Sequence, residues 1–201
     1  MARRKEYTPQ QLKELILSSA ARIIAQHGRA GLTARALAEA IHYSPGTIYN
    51  VYEDLDALMV DVNYETLGRL QAYCQQKIAA LPADFSRVRG LAYAYADFAR
   101  QNLHAWEAIY TPDRKLEHDN APSLPEYYQQ RLANIFLMVE TTLIDSLNVP
   151  QPTAYTSARL LWACLHGITV LSLNGTLGLV GVEQPHAMID DLLEQYLARY
   201  V

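Results

Sequence analysis

Residues 30–58 read AGLTARALAEAIHYSPGTIYNVYEDLDAL, and this stretch decides the fold. Leu32, Ala36, Leu37, Ala38, Ala40 and Ile41 recur at helical spacing, and Thr33 stands where a cap hydroxyl accepts a backbone N–H two or three residues on. The pattern predicts a two-turn helix with one buried face. After His42 and Tyr43 come Ser44, Pro45 and Gly46. Ser44 is a natural N-cap, and Pro45 suits the first helical position because it lacks the N–H that would go unpaired there. A second helix therefore starts at once and presents its N-terminus. Two short helices joined by a tight turn make a helix-turn-helix, the geometry that places a recognition helix in a DNA groove.

Upstream, Pro9 opens a pattern in which Leu12, Leu15, Ile16, Ala20, Ile23 and Ile24 share a face, and His27 and Gly28 close it with Gly28 as C-terminal cap. Only a short loop separates this helix from the next, so the second helix turns back across the first. Three helices in about 45 residues enclose a small core, which is marginal alone. The head must lean on the following helix, where Leu55, Leu58, Val62, Leu67 and Leu70 continue the apolar periodicity toward Leu81 and Pro82.

Further on the pattern stays helical, without alternating strand-like runs between hairpin turns. Residues 85–103, 103–110 and 125–147 each carry a one-faced apolar pattern, and residues 153–173 are apolar over much of the circumference. A last helix over 186–200 carries Met188, Ile189, Leu192, Leu193, Tyr196 and Leu197. Residues 113–125, DRKLEHDNAPSLP, have two prolines and few large apolar side chains, and read as a mobile loop that could gate an internal pocket. The expected fold is all-α with about nine helices. A three-helix DNA-binding head (1–54) precedes a ligand-binding and dimerisation body (55–201). A helix apolar on more than one face needs a partner beyond its own chain, so the final pair is read as a homodimer interface, two helices from each subunit forming a four-helix bundle.

Composition bounds the function. The 201 residues are 50% hydrophobic and 19% charged, enough for a real core. No apolar run approaches the 18 or more residues of a membrane span, and nothing apolar follows the basic N-terminus, so no membrane association and a cytoplasmic location are expected. Cys74 and Cys164 show neither a disulfide framework nor zinc spacing, and read as two buried thiols; no metal and no cofactor is indicated. The net charge of −4 divides unevenly. Residues 1–50 hold seven Lys or Arg against three acids, and the remainder carries a balance of −8. A basic end on an acidic body is the asymmetry expected when one end meets a polyanion.

These residues also carry a family resemblance. Gly28, Leu32-Thr33, Leu37-Ala38-Glu39-Ala40, SPGTIY at 44–49, Tyr52 and Ala57-Leu58 resemble the TetR family of one-component bacterial regulators over about 45 residues. LAYAYADFARQN at 91–102 and WACLHG at 162–167 resemble the branch with a Trp-His-Gly signature in its C-terminal domain. The resemblance implies a homodimer that binds a palindromic operator on double-stranded DNA and is released by a small-molecule effector held in the body.

Tyr49 matches the family's phosphate-contacting tyrosine, and Thr47 is expected to act likewise. Thr33 and the backbone N–H groups at the start of its helix make a phosphate clamp. Arg35 could read a guanine edge, or could be a phosphate contact or a solvated charge. Ser44, Pro45, Gly46 and Asn50 sit where the recognition helix faces the groove, with Asn50 able to address adenine. Arg3, Arg4 and Lys5 form either a groove-reaching arm or a solubilising tail. Two departures stand out: His42 replaces the usual turn glycine, and Leu55 replaces the usual phosphate-binding lysine. The turn needs a left-handed backbone, which His adopts at more cost than Gly, and Glu53, Asp54 and Asp56 flank Leu55, so weaker phosphate anchoring is expected.

The effector pocket draws its walls from Tyr93, Phe98, Trp106, Tyr110, Phe136, Trp162 and His166, most of which also suit a core. His166 could hold a helix contact by a hydrogen bond or meet a ligand. The scarcity of Lys and Arg on the body's helices disfavours a highly phosphorylated effector. An all-α enzyme would draw its acid and base from Asp97, His104, His118, His166 and His186. The HExxH, Glu-x-x-His, glycine-rich and GxSxG patterns that would support one are missing from the sequence. A helical ligand-binding or interaction protein with weakened DNA binding is the remaining alternative.

Overall fold

The computed structural model describes residues 7–111 and 124–200. Secondary structure among them is wholly helical. In order come α1 (Pro9–Gly31), α2 (Ala34–Ile41), α3 (Pro45–Tyr49), α4 (Leu55–Ile78), α5 (Phe85–Gln101), α6 (Leu103–Tyr110), α7 (Glu126–Leu147), α8 (Gln151–Leu173), α9 (Thr176–Leu179) and α10 (Pro185–Leu197). Nine of these answer the periodic patterns. The four-residue α9 was not expected, because it lies in the glycine-rich NGTLGLVG stretch and is too short to show a period. The expected tail (Arg3 to Lys5), His118 and nearly all of the 113–125 loop lie outside the described residues.

The chain packs as two units. One comprises residues up to 67 with 102–128, and the other residues 68–101 with 129–201. In the first, α1 opens on a capping box: Thr8 Oγ1 accepts from the Gln11 N–H at 3.2 Å, and Gln11 Oε1 accepts from the Thr8 N–H at 3.0 Å. Regular helical geometry ends at Gly28, whose φ of 68° belongs to the left-handed region. A Cβ there would also stand 3.7 Å from the His104 ring. α1 packs on α2 and on α6. Ile16, Ile24, Leu37, Ile48 and Leu58 are fully buried together, with Met59, Val62 and Ala108 closing the same cluster. Burial of each such aliphatic side chain contributes roughly 1.5–3 kcal/mol. The head's core thus runs past residue 54 into the first turns of α4 and takes in α6.

In the second unit α5, α8 and α10 pack on one another. Leu143, Leu161, Ile189, Leu193 and Leu197 are buried there in one cluster. Ile189, Leu193 and Leu197, which the sequence offers to a partner, are therefore spent inside their own unit. α8 differs, because Tyr155, Leu160, Val170 and Leu171 remain exposed along it. α8 is also long and apolar enough to cross a membrane by length and composition, with 28% of the qualifying window buried. Polar residues interrupt it often enough that no continuous apolar run is visible in the sequence.

Candidate functional site

The turn between α2 and α3 is built from the predicted caps, with one difference. Thr33 caps α2, its Oγ1 accepting from the Ala36 N–H at 3.1 Å. His42 takes φ 58° and ψ 41°, the left-handed conformation the turn requires, and the N–H of Tyr43 reaches back to the Ala38 carbonyl at 2.9 Å. Ser44 has the extended backbone of an N-cap and its carbonyl accepts from the Thr47 N–H at 3.0 Å. Its hydroxyl, however, pairs with the Thr47 hydroxyl at 3.1 Å instead of capping the backbone. Pro45 carries no N–H and the Thr47 N–H is held by the Ser44 carbonyl, so α3 starts without a side-chain cap.

Below this turn Leu37, Ala38, Ile41 and Ile48 are buried, whereas Thr33, Arg35, Ser44, Pro45, Gly46, Tyr49 and Asn50 are exposed and Thr47 is half-buried. Asn50 is the C-cap of the five-residue α3, its N–H bonded to the Gly46 carbonyl at 3.1 Å. Arg35, in the first turn of α2, has no ion pair or hydrogen bond among the described residues.

Two cations counted in the basic N-terminal quarter are already paired. Lys13 Nζ lies 3.0 Å from Asp61 Oδ2, and Arg29 Nη2 lies 3.2 Å from Asp56 Oδ1. Asp61 also accepts from the Tyr52 hydroxyl at 3.0 Å and from the Tyr127 hydroxyl at 2.7 Å. Burial alone would push its carboxyl up, but the bonds from Tyr127, Lys13 and Tyr52 together outweigh that and hold it below the usual carboxylate range. Burial and the Asp61 charge push both phenols upward, so they keep their protons and act as donors. Sequence reading missed this cluster: Asp61 looks like an ordinary exposed acid of a helix, and Tyr127 lies 66 residues away.

The aromatic residues assigned to an effector pocket are divided between the two units. Trp106 and Tyr110 pack edge to face at 5.1 Å in the first unit. In the second, Phe136 meets Trp162 at 5.7 Å, Trp162 lies 5.6 Å from the His166 ring, and His166 Nδ1 is 2.9 Å from the Tyr95 hydroxyl. Burial holds the His166 imidazole below its ordinary value. Phe98 packs on Tyr73 at 5.8 Å, while Tyr93 gives its hydroxyl to Asp190 at 2.7 Å and its ring to His186 at 4.6 Å. A cleft of about 160 Å³ opens between α5, α8 and α10, with Ile168, Leu173 and Ile189 in its wall and Asp97, Arg100 and His186 around it. None of the seven predicted effector residues lines it. Of the acid–base candidates, His104 sits 3.7 Å from Glu107, and Asp97 pairs with Arg100 at 3.0 Å.

A three-helix head that buries its apolar residues and exposes the N-terminal residues of α2 and α3, followed by a longer helical body, defines the class of helix-turn-helix DNA-binding regulators. Residues 16–62 match the family described as bacterial regulatory proteins, tetR family, and residues 88–196 match the tetracyclin repressor-like C-terminal domain. The chain belongs to the TetR family of transcriptional regulators. It is 28% identical over 159 residues, 79% of this chain and 78% of the other, to the uncharacterized HTH-type transcriptional regulator YobS of Bacillus subtilis (strain 168). A solved structure of a protein with unknown function from Rhodococcus sp. RHA1 shares the fold at a TM-score of 0.76 and 18% identity, covering 100% of this chain and 99% of that one. The multidrug binding protein EbrR, complexed with imidazole, shares it at a TM-score of 0.55 and 20% identity, covering 91% of this chain and 93% of that one.

Proposed function

We propose that the chain works in the cytoplasm as a homodimeric repressor that binds a palindromic operator and leaves it when a small-molecule effector enters the body. The observation that carries this reading is the division of the helix-turn-helix: every large apolar side chain of α2 and α3 except Tyr49 is buried, and the polar groups at both N-termini face outward. Thr33 with the backbone N–H groups at the start of α2, Ser44, Thr47 and Tyr49 hold phosphates, while Arg35 and Asn50 address base edges, with Pro45 and Gly46 allowing close approach.

The exposed apolar residues of α8 support the dimer: Leu160 and Leu171, about three turns apart, share a face with Val170 beside it, and this face awaits a second copy. Effector binding is supported by EbrR, a protein of this fold named as a multidrug binding protein, and by the polar-rimmed cleft beside α8. Tyr93, Phe98, Phe136, Trp162 and His166 belong to the same unit as that cleft but stand outside its lining, and Trp106 and Tyr110 belong to the first unit.

Selection of duplexes from a random-sequence pool, followed by mobility shift over a salt series, tests the reading. A palindromic duplex bound by a dimer, with affinity falling as salt rises, is expected. Light scattering of Leu160→Glu should give a monomer with helical content retained. Absence of salt-sensitive binding at low ionic strength would overturn the regulator reading in favour of a helical interaction protein, the alternative that the ion-paired Lys13 and Arg29 favour.

A further inference from the structure

The recognition helix cannot hold its own orientation. α3 has five residues, fewer than two turns, and the Ser44 hydroxyl does not cap its backbone. A helix that short is not stable on its own hydrogen bonds and takes its position from what it is tied to. Two ties are visible. Ile48 is fully buried in the head's core, and Tyr52, whose N–H bonds to the Ile48 carbonyl at 2.9 Å, sends its hydroxyl to Asp61 on α4.

Asp61 is shared. Its Oδ2 takes Tyr52 and Lys13 of α1, and Lys13 also lies over the Tyr52 ring at 5.3 Å from its centroid. Its Oδ1 takes Tyr127, the second residue of α7, whose ring stands edge-on to Tyr64 of α4 at 5.1 Å. One carboxylate thus gathers donors from α1, from Tyr52 three residues past the recognition helix, and from the start of α7. A carboxylate accepts at both oxygens, so a change in the bond at one alters its orientation and its charge density at the other.

We infer that Asp61 is a positioning residue for DNA reading, and that Tyr127 is the contact through which α7 sets how firmly Asp61 holds Tyr52 and with it the recognition helix. α7 is continuous from Glu126 to Leu147, and its later part carries Phe136 to the ring of Trp162. Resting on the effector-released reading above, a movement of α7 caused by an effector reaches the head at the Tyr127 hydroxyl.

The test uses the full chain and a duplex that the wild type selects from a random pool. Tyr127→Phe removes one hydroxyl from a half-exposed side chain and leaves the fold intact. It should weaken binding about tenfold, the scale of one charge-assisted hydrogen bond. It should also speed amide hydrogen exchange in residues 46–52 while leaving the core of α8 unchanged. Adding Asp61→Asn to Tyr127→Phe should weaken binding no further than Asp61→Asn alone, because both act through the same carboxylate. Tyr73→Phe, which removes a hydroxyl that accepts from Gln101 within the second unit, should change neither readout. Equal exchange in wild type and Tyr127→Phe, a rise in exchange spread over the whole chain, or losses that add in the double variant would overturn the inference. If the wild type selects no duplex, the regulator reading fails, and exchange at 46–52 still decides whether Tyr127 grips the recognition helix.

Discussion

The hydroxyl of Tyr95 on α5 lies 2.9 Å from Nδ1 of His166 on α8, joining two of the helices that build the second unit. Burial keeps the imidazole below its ordinary value. A base whose folded pKa is depressed lends stability that is full above its unfolded value, about 6.5, and is lost as pH falls through the folded one. Thermal unfolding should therefore show the melting temperature falling as pH drops from 7 to 5. His166→Gln should flatten that dependence; an unchanged slope would remove His166 from the account.

His42 bears a left-handed backbone that a glycine adopts without steric cost. His42→Gly should stabilise the protein by about 1 kcal/mol, since an L-residue pays that order of strain there. For a chain of this size such a change corresponds to roughly 2–4 °C in melting temperature. His42→Val should move it the other way. Equal melting temperatures for all three would show that the turn carries no strain.

Arg35 and Tyr49 are both exposed on the helix-turn-helix, but their proposed tasks differ. Tyr49→Phe should weaken binding to every duplex alike, as loss of a phosphate contact does. Arg35→Ala should relax preference at one base position, with about 1–3 kcal/mol of discrimination lost there. Competition binding against single-position variants of the selected duplex separates the two, and a uniform loss for Arg35→Ala would reduce it to a backbone contact.

The two thiols should react in sequence. Cys74 is buried and its thiol is pushed up to about 12, which leaves almost no thiolate at neutral pH. Cys164 is half-buried on α8, the helix that bears the exposed apolar stripe. With a thiol-reactive dye, one equivalent should label at Cys164, faster on dilution below the dimer's dissociation constant, and the second only on unfolding. Concentration-independent labelling of Cys164 would argue against α8 as the interface.

Helix periodicity made most of the fold legible. α6 was predicted over the residues it occupies, and the Thr33 cap, the Gly28 break and the left-handed His42 follow from residue type and position alone. What escaped is whatever depends on residues far apart in the chain. The Tyr127 bond to Asp61 leaves no local pattern, and Trp106 and Tyr110 belong by packing to the unit that holds the head, although they follow the body's aromatic residues in sequence. The Ser44 hydroxyl went to Thr47 because two exposed hydroxyls three residues apart can satisfy each other, a competition that cap propensity ignores. Apolar content likewise could not tell α10, whose large side chains are consumed inside the unit, from α8, whose are not.

Of the four Lys or Arg residues described between 7 and 50, Lys13 and Arg29 are engaged by carboxylates at 3.0 and 3.2 Å, leaving Arg22 and Arg35 without an acidic partner. Any phosphate that reaches for Lys13 or Arg29 must displace a carboxylate of the protein's own, so the gain is an exchange of partners and fewer counterions are released. Random DNA, which offers only phosphates, is the loser in that exchange. On the proposed reading, a head with these two cations engaged should show a shallow salt dependence on random duplexes, and its preference for a selected duplex should rest on shape and base contacts more than on charge.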